Sequence, residues 1–140
     1  MLKALNNYAQ GGFDVLNSDE IYEIVEYIEA NQEICPVELY RGIMVADFEV
    51  EIGETIYFKE PFASFDEDIE VAEQFATRRG KGVVFILRDD SFGLPVYMHA
   101  NTCHGETEWL ILDVGFVVEA IEQNEENENI IYVRIRPAET

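Results

Sequence analysis

The sequence predicts an α+β domain with its helices early and its sheet late. Three observations carry this: apolar residues at helical spacing over residues 17–30, a second such stretch over 68–79, and a close succession of β-rich runs from residue 82 to residue 136.

The elements follow in order. Asn17 stands three positions before Glu20, the spacing of a capping box, and Ile21, Ile24, Val25 and Ile28 recur on one face behind it, so a helix is expected over Asn17–Ala30. After Pro36 the run VELYRGIMV, Val37 to Val45, reads as a strand, and EIGETIYF, Glu51 to Phe58, as a weaker strand or hairpin arm carrying Gly53. A second helix is expected over Asp68–Arg79. Val71, Ala72, Phe75 and Ala76 share one face, acids open it, Arg78 and Arg79 fill its last turn, and Gly80 stops it. From there strands dominate: GVVFILR, LPVYM, TEWLILD, GFVVEAI and IIYVRIR, separated by DDSFG, by the loop HANTCHGE and by an acidic hairpin tip, QNEENEN. No segment repeats another.

At 140 residues the chain is expected to be one domain, residues 1–140. That length buries roughly two-thirds of the unfolded surface, and 48% hydrophobic with 12% aromatic residues supplies a packed core. No apolar run approaches the roughly 20 residues that span a bilayer, and MLKALNNYAQGG lacks the apolar segment of a secretory signal. A soluble cytosolic protein with no membrane partner is expected. Cys35 and Cys103 stand alone rather than in a paired motif, and His99, Cys103 and His104 match no standard zinc spacing, so neither a disulfide framework nor a metal site is expected.

Charge bounds the partners. With 29 acids against 9 bases the formal charge is −20, a field that repels nucleic acid and steers cationic protein surfaces inward. An anionic small ligand needs a local island of positive charge. The acids could instead serve solubility alone, or mimic DNA and occupy a nucleic-acid-binding protein.

Three features could carry chemistry. Arg41 interrupts the apolar run LYRGIMV at a position that strand alternation places beside Leu39 and Ile43. Taken alone it reads as an edge-strand arginine that reaches solvent or pairs with a glutamate. Its other reading is a guanidinium fork for a phosphate or carboxylate, with Gly42 leaving room for a ligand to approach the backbone. In PFASFDEDIEVAEQFA, Ser64 emerges from an extended segment just before an acidic helix start. Either Ser64 or Asp66 can cap that helix, or Ser64 can orient a carboxylate from a neighbouring strand. Third, Glu106 and Glu108 open the apolar strand of HGETEWLIL. They share one face about 6.5 to 7 Å apart, Leu110 and Leu112 continue that face, and Trp109 and Ile111 line the other. Alone, the pair reads as solvated loop charge.

Taken together and in order, Arg41 in Tyr40-Arg41-Gly42, Ser64 in Phe62-Ala63-Ser64 ahead of Glu70-Val71-Ala72, and Glu106-Thr107-Glu108 before a buried strand resemble the arginine-serine-glutamate class of mono-ADP-ribosyltransferases. The resemblance runs from about Val37 to Val118 and is nearest to compact bacterial or phage-encoded members. It implies an ADP-ribosyltransferase-like fold, two β-sheets packed around an NAD cleft with flanking helices. It implies NAD as substrate, Arg41 and Gly42 at the cofactor, Ser64 fixing the rotamer of Glu108, and Glu108 binding the ribose and stabilising its oxocarbenium-like charge. The E-x-E form implies that Glu106 activates an arginine guanidinium on a target protein, so arginine-directed transfer of ADP-ribose is expected. The expected setting is the cytoplasm, the host's if the chain is phage-encoded. NAD hydrolysis is the same chemistry with water as acceptor; a catalytically silent acidic binding protein is the alternative of a different class.

Overall fold

Residues 3–45, 47–100 and 107–138 are described in a computed structural model of the chain. Helix α1, Lys3–Gly11, comes first and is followed by a 3-10 turn, Phe13–Val15. The sequence patterning does not predict α1. It has nine residues and buries only Ala4, Leu5 and Tyr8, too short to be stable alone, so packing against the rest of the domain holds it. Helix α2, Ser18–Asn31, forms as expected: Asn17 Oδ1 accepts from the Glu20 backbone at 2.8 Å, and Glu20 Oε1 accepts from the Asn17 backbone at 3.3 Å.

The strands are β1 (Glu33–Cys35), β2 (Leu39–Met44), β3 (Thr55–Ile56), β4 (Phe62–Asp66), β5 (Gly82–Leu87), β6 (Ser91–Pro95), β7 (Glu108–Leu112), β8 (Phe116–Asn124) and β9 (Asn127–Pro137). Helix α3, Ile69–Ala76, lies between β4 and β5, and a short α4, Val96–His99, follows β6. Several expectations need correction. The run LPVYM is not one strand: β6 ends at Pro95, which lacks an N–H to continue a ladder, and Val96 turns into α4. Within DDSFG, Ser91 to Gly93 are already strand and pair with β1. EIGETIYF contributes only Thr55 and Ile56 to the sheet. Helix α3 ends at Ala76, so Arg78 and Arg79 lie in the turn after it, closed by Gly80 at φ 118°. The tip QNEENEN is mostly paired strand around a turn at Glu125 and Glu126.

The hydrogen-bonded order is β1-β6-β7-β4-β2-β5-β9-β8-β3. All pairings are antiparallel except β5 with β9. The link between β4 and β2 is a single pair, Tyr40 with Asp66, so the ladder divides there into two halves. Those halves are the two expected sheets, joined along one seam. Their facing sides share one core: Ala63, Phe65, Trp109 and Ile111 from one half meet Val83, Phe85, Leu87, Phe116, Val133 and Ile135 from the other. The Phe65 and Phe116 rings lie 6.1 Å apart across it. Outside the first half, α1, α2 and α4 cover Phe62, Leu94 and Leu110. Outside the second, α3 covers Val84, Ile86 and Ile130. Alternation places each face of β7 where its sequence indicated, with Leu110 toward the helices and Trp109 and Ile111 toward the shared core.

Candidate active site

A cleft of about 310 Å³ opens at the seam between the half-sheets, lined by Tyr40, Arg41 and Gly42 of β2, Ser64 and Asp66 of β4, Val71, Ala72 and Phe75 of α3, and Glu108 of β7, among others. Arg41, Gly42, Ser64 and Glu108, four of the five residues singled out in the sequence, meet there. The fifth, Glu106, lies outside the described residues.

Register explains the meeting of Ser64 and Glu108. β4 and β7 run antiparallel with Asp66 opposite Glu108 and Ser64 opposite Leu110, so Ser64 and Glu108 are diagonal neighbours on one face. The Ser64 hydroxyl donates to Glu108 Oε2. That resolves its two sequence readings, because the α3 cap is Asp68, whose carboxylate accepts from the Glu70 backbone at 2.9 Å. Asp66 is no cap either. It is 8% exposed and its Oδ1 accepts from the Asp68 backbone at 2.8 Å and from Thr107 Oγ1 at 3.0 Å, tying the entry of β7 to the turn before α3.

Arg41 is not on an edge strand, since β2 lies between β4 and β5. Its Nη1 donates to the Ser64 carbonyl at 3.1 Å and its guanidinium stands 5.0 Å from the centre of the Phe58 ring. The ion pairs among the described residues are those of Arg134 with Glu38 and Glu122, and Arg41 joins neither. Its Nε is buried without a hydrogen-bond partner. Burial holds the Arg41 pKa below its ordinary value, opposed by the more distant Glu60, Tyr8, Asp113 and Glu108. The Arg41 guanidinium thus puts a positive charge on the wall of the cleft in a chain of formal charge −20.

Gly42 also lines the cleft, but its missing Cβ serves helix packing first. A Cβ there falls nearer than 3.0 Å to the Ala72 carbonyl, so only glycine lets α3 lie this close to β2.

One side chain at the site was not singled out in the sequence. The Tyr8 hydroxyl, on α1, donates to Glu108 Oε2 at 2.8 Å. Burial first, then the charge of Glu108, pushes the Tyr8 phenol far up from its ordinary value, so it stays protonated. No sequence motif marks it. Of the residues considered as metal ligands, His99 Nδ1 lies 2.9 Å from the Tyr27 hydroxyl, while Cys103 and His104 fall outside the described residues.

No family model and no curated protein matches the chain. Solved structures do. The Vis toxin, an ADP-ribosyltransferase from Vibrio splendidus, superposes with a TM-score of 0.70 over 99% of this chain and 67% of its own, at 18% identity. The fold is that of the ADP-ribosyltransferases. The C3 exoenzyme of Clostridium limosum aligns at a TM-score of 0.67 and 15% identity over 97% of this chain and 83% of its own. Exoenzyme S from Pseudomonas aeruginosa, solved with human 14-3-3 protein beta and carba-NAD, aligns at 0.64 and 18% identity over 96% and 66%. Vis has also been solved in complex with agmatine, aligning at 0.63. This small domain is thus spanned almost end to end by an architecture expected from three short motifs.

Proposed function

We propose that the chain is a mono-ADP-ribosyltransferase that transfers ADP-ribose from NAD to arginine side chains of a target protein, releasing nicotinamide. The observation that carries this reading is the convergence of Arg41, Ser64 and Glu108 on one cleft, with the Ser64 hydroxyl donating to Glu108. Two further facts support it: the fold is shared with ADP-ribosyltransferases, and one such neighbour was solved with carba-NAD.

In this reading the Arg41 guanidinium, on the wall of the cleft, binds an NAD phosphate. The bond between the ribose C1′ and the nicotinamide nitrogen breaks, and its electron pair leaves with nicotinamide. Glu108 binds the ribose hydroxyl and offsets the positive charge that develops on the ring. A guanidino nitrogen of the target then bonds to C1′, and its proton passes to Glu106 as attack proceeds. Agmatine, bound in one Vis structure, is a guanidinium compound, which supports an arginine-type acceptor. The acidic surface favours a target whose docking face is basic.

The test is nicotinamide release from NAD by the purified chain, with and without agmatine, beside Glu108→Ala and Glu106→Ala. Release should need Glu108, and modification of agmatine should need Glu106 while hydrolysis of NAD survives without it. No release under any condition, host lysate included, overturns the reading in favour of an acidic binding protein.

A further inference from the structure

Tyr8 reaches Glu108, on the wall of the cleft, from a part of the chain that carries none of the site's motifs. It lies 100 residues before Glu108, yet its hydroxyl donates to Glu108 Oε2 at 2.8 Å, the same oxygen that accepts from Ser64 Oγ. One carboxylate oxygen thus receives two donors, from a strand neighbour on β4 and from a helix in the layer above.

Helix α1 is packed so as to hold that hydroxyl in place. Ala4 and Leu5 are buried with Ile24 and Ile28 of α2, and the Asn7 amide donates to Glu20 Oε2 at 2.7 Å. The Tyr8 ring meets Phe62 edge-on, with ring centres 5.6 Å apart and planes at 78°. Tyr8 itself is 8% exposed. A rigidly held donor on a reactive carboxylate is what a preorganised site requires, because each uncontrolled rotamer of Glu108 is a geometry in which the ribose is not met.

We propose that Tyr8 is a positioning residue for Glu108: with Ser64 it fixes one carboxylate oxygen, so that the carboxylate meets the reacting ribose in a single orientation. This rests on the NAD-cleaving reading above. It makes α1 part of the active site as well as a cover for the core. Because burial and the neighbouring charge keep the phenol protonated, Tyr8 acts as a donor and not as a base.

The experiment measures steady-state nicotinamide release from NAD for the full chain and for Tyr8→Phe, Ser64→Ala and the double variant, with thermal unfolding of each. Tyr8→Phe keeps the ring against Phe62 and removes only the hydroxyl. Its kcat should fall about tenfold, the usual scale for losing a partner that orients a reactive group, with KM for NAD within about twofold and an unfolding midpoint that stays well above the assay temperature. The double variant should lose less than the product of the two single losses, because a carboxylate freed by either change is already free. Wild-type kcat in Tyr8→Phe, a rise in KM with kcat intact, or losses that simply multiply would each overturn the assignment while leaving the NAD reading standing. A wild-type chain that releases no nicotinamide removes both.

Discussion

Arg41 donates through Nη1 to the Ser64 carbonyl at 3.1 Å, crossing the seam where the two half-sheets share only the pair of Tyr40 with Asp66. One guanidinium therefore touches both walls of the cleft. It is poorly matched to its surroundings as a structural group, with Nε buried and unpartnered and no ion pair.

A buried charge with so few partners should contribute little to the fold. Arg41→Met should leave the unfolding free energy within about 1 kcal/mol of wild type, or raise it, because an apolar isostere removes the desolvation cost. NAD binding should weaken at least tenfold, since a charge-assisted hydrogen bond is worth about 1.5 to 3 kcal/mol. Urea unfolding and NAD titration check the two halves. A stability loss above about 2 kcal/mol makes Arg41 a structural seam residue instead.

Gly42→Ala attacks the same wall by a different route. The added methyl group meets the Ala72 carbonyl, a backbone atom that cannot move without shifting α3. Stability should drop by about 2 kcal/mol or more, at the upper part of the overpacking range, and activity should fall with it as the Val71, Ala72 and Phe75 wall is displaced. Full stability and wild-type release by this variant would mean that α3 can slide on β2.

Glu67, in the turn before α3, accepts from two ring donors. Its Oε2 accepts from Trp109 Nε1 at 2.9 Å and from the Tyr97 hydroxyl at 3.2 Å. Glu67→Ala leaves the N–H of a tryptophan that is 3% exposed without an acceptor, a loss of about 1 to 3 kcal/mol. Since the chain has one tryptophan, its fluorescence reports the change unmixed. The urea midpoint should fall, and Glu67→Gln, which keeps a carbonyl acceptor, should recover most of it. Equal losses for the two variants would assign the effect to charge rather than to the hydrogen bond.

Helix α2 carries a pH signature. The Asn7 amide, and then the Asn17 backbone, hold the Glu20 carboxyl below its ordinary value. A depressed folded-state pKa stabilises above the unfolded value, about 4.3, and the gain fades as pH falls through the folded value. Glu20→Gln should therefore melt below wild type at pH 7, with the gap closing in acid as both states become protonated. The same gap at both pH values would mean that the contribution is not ionic.

Much of the site was legible before any coordinates. Arg41 was anomalous in an apolar run, Ser64 preceded a helix start, and Glu108 opened a buried strand, because each conflicts with its local pattern in a way that a few residues of context reveal. Tyr8 was illegible for the opposite reason. Nothing in KALNNYAQG conflicts with a solvated segment, and only the antiparallel pairing of β4 with β7, together with a helix folded back over both, sets its hydroxyl on Glu108. Gly42 was legible as a glycine with a purpose, but its neighbour is Ala72 on α3, not a ligand alone.

The sequence by itself determined the α+β class, the capped helix at Asn17, the burial of both faces of TEWLILD and the charge that bounds the partners, because periodicity, capping and composition are local or additive. Tertiary structure decided the rest. It turned LPVYM into a strand end and a helix, joined two sheets through the pair of Tyr40 with Asp66, and recruited α1. These depend on which segments meet across long stretches of chain, and a side chain's partner is set by that meeting and not by its neighbours in sequence.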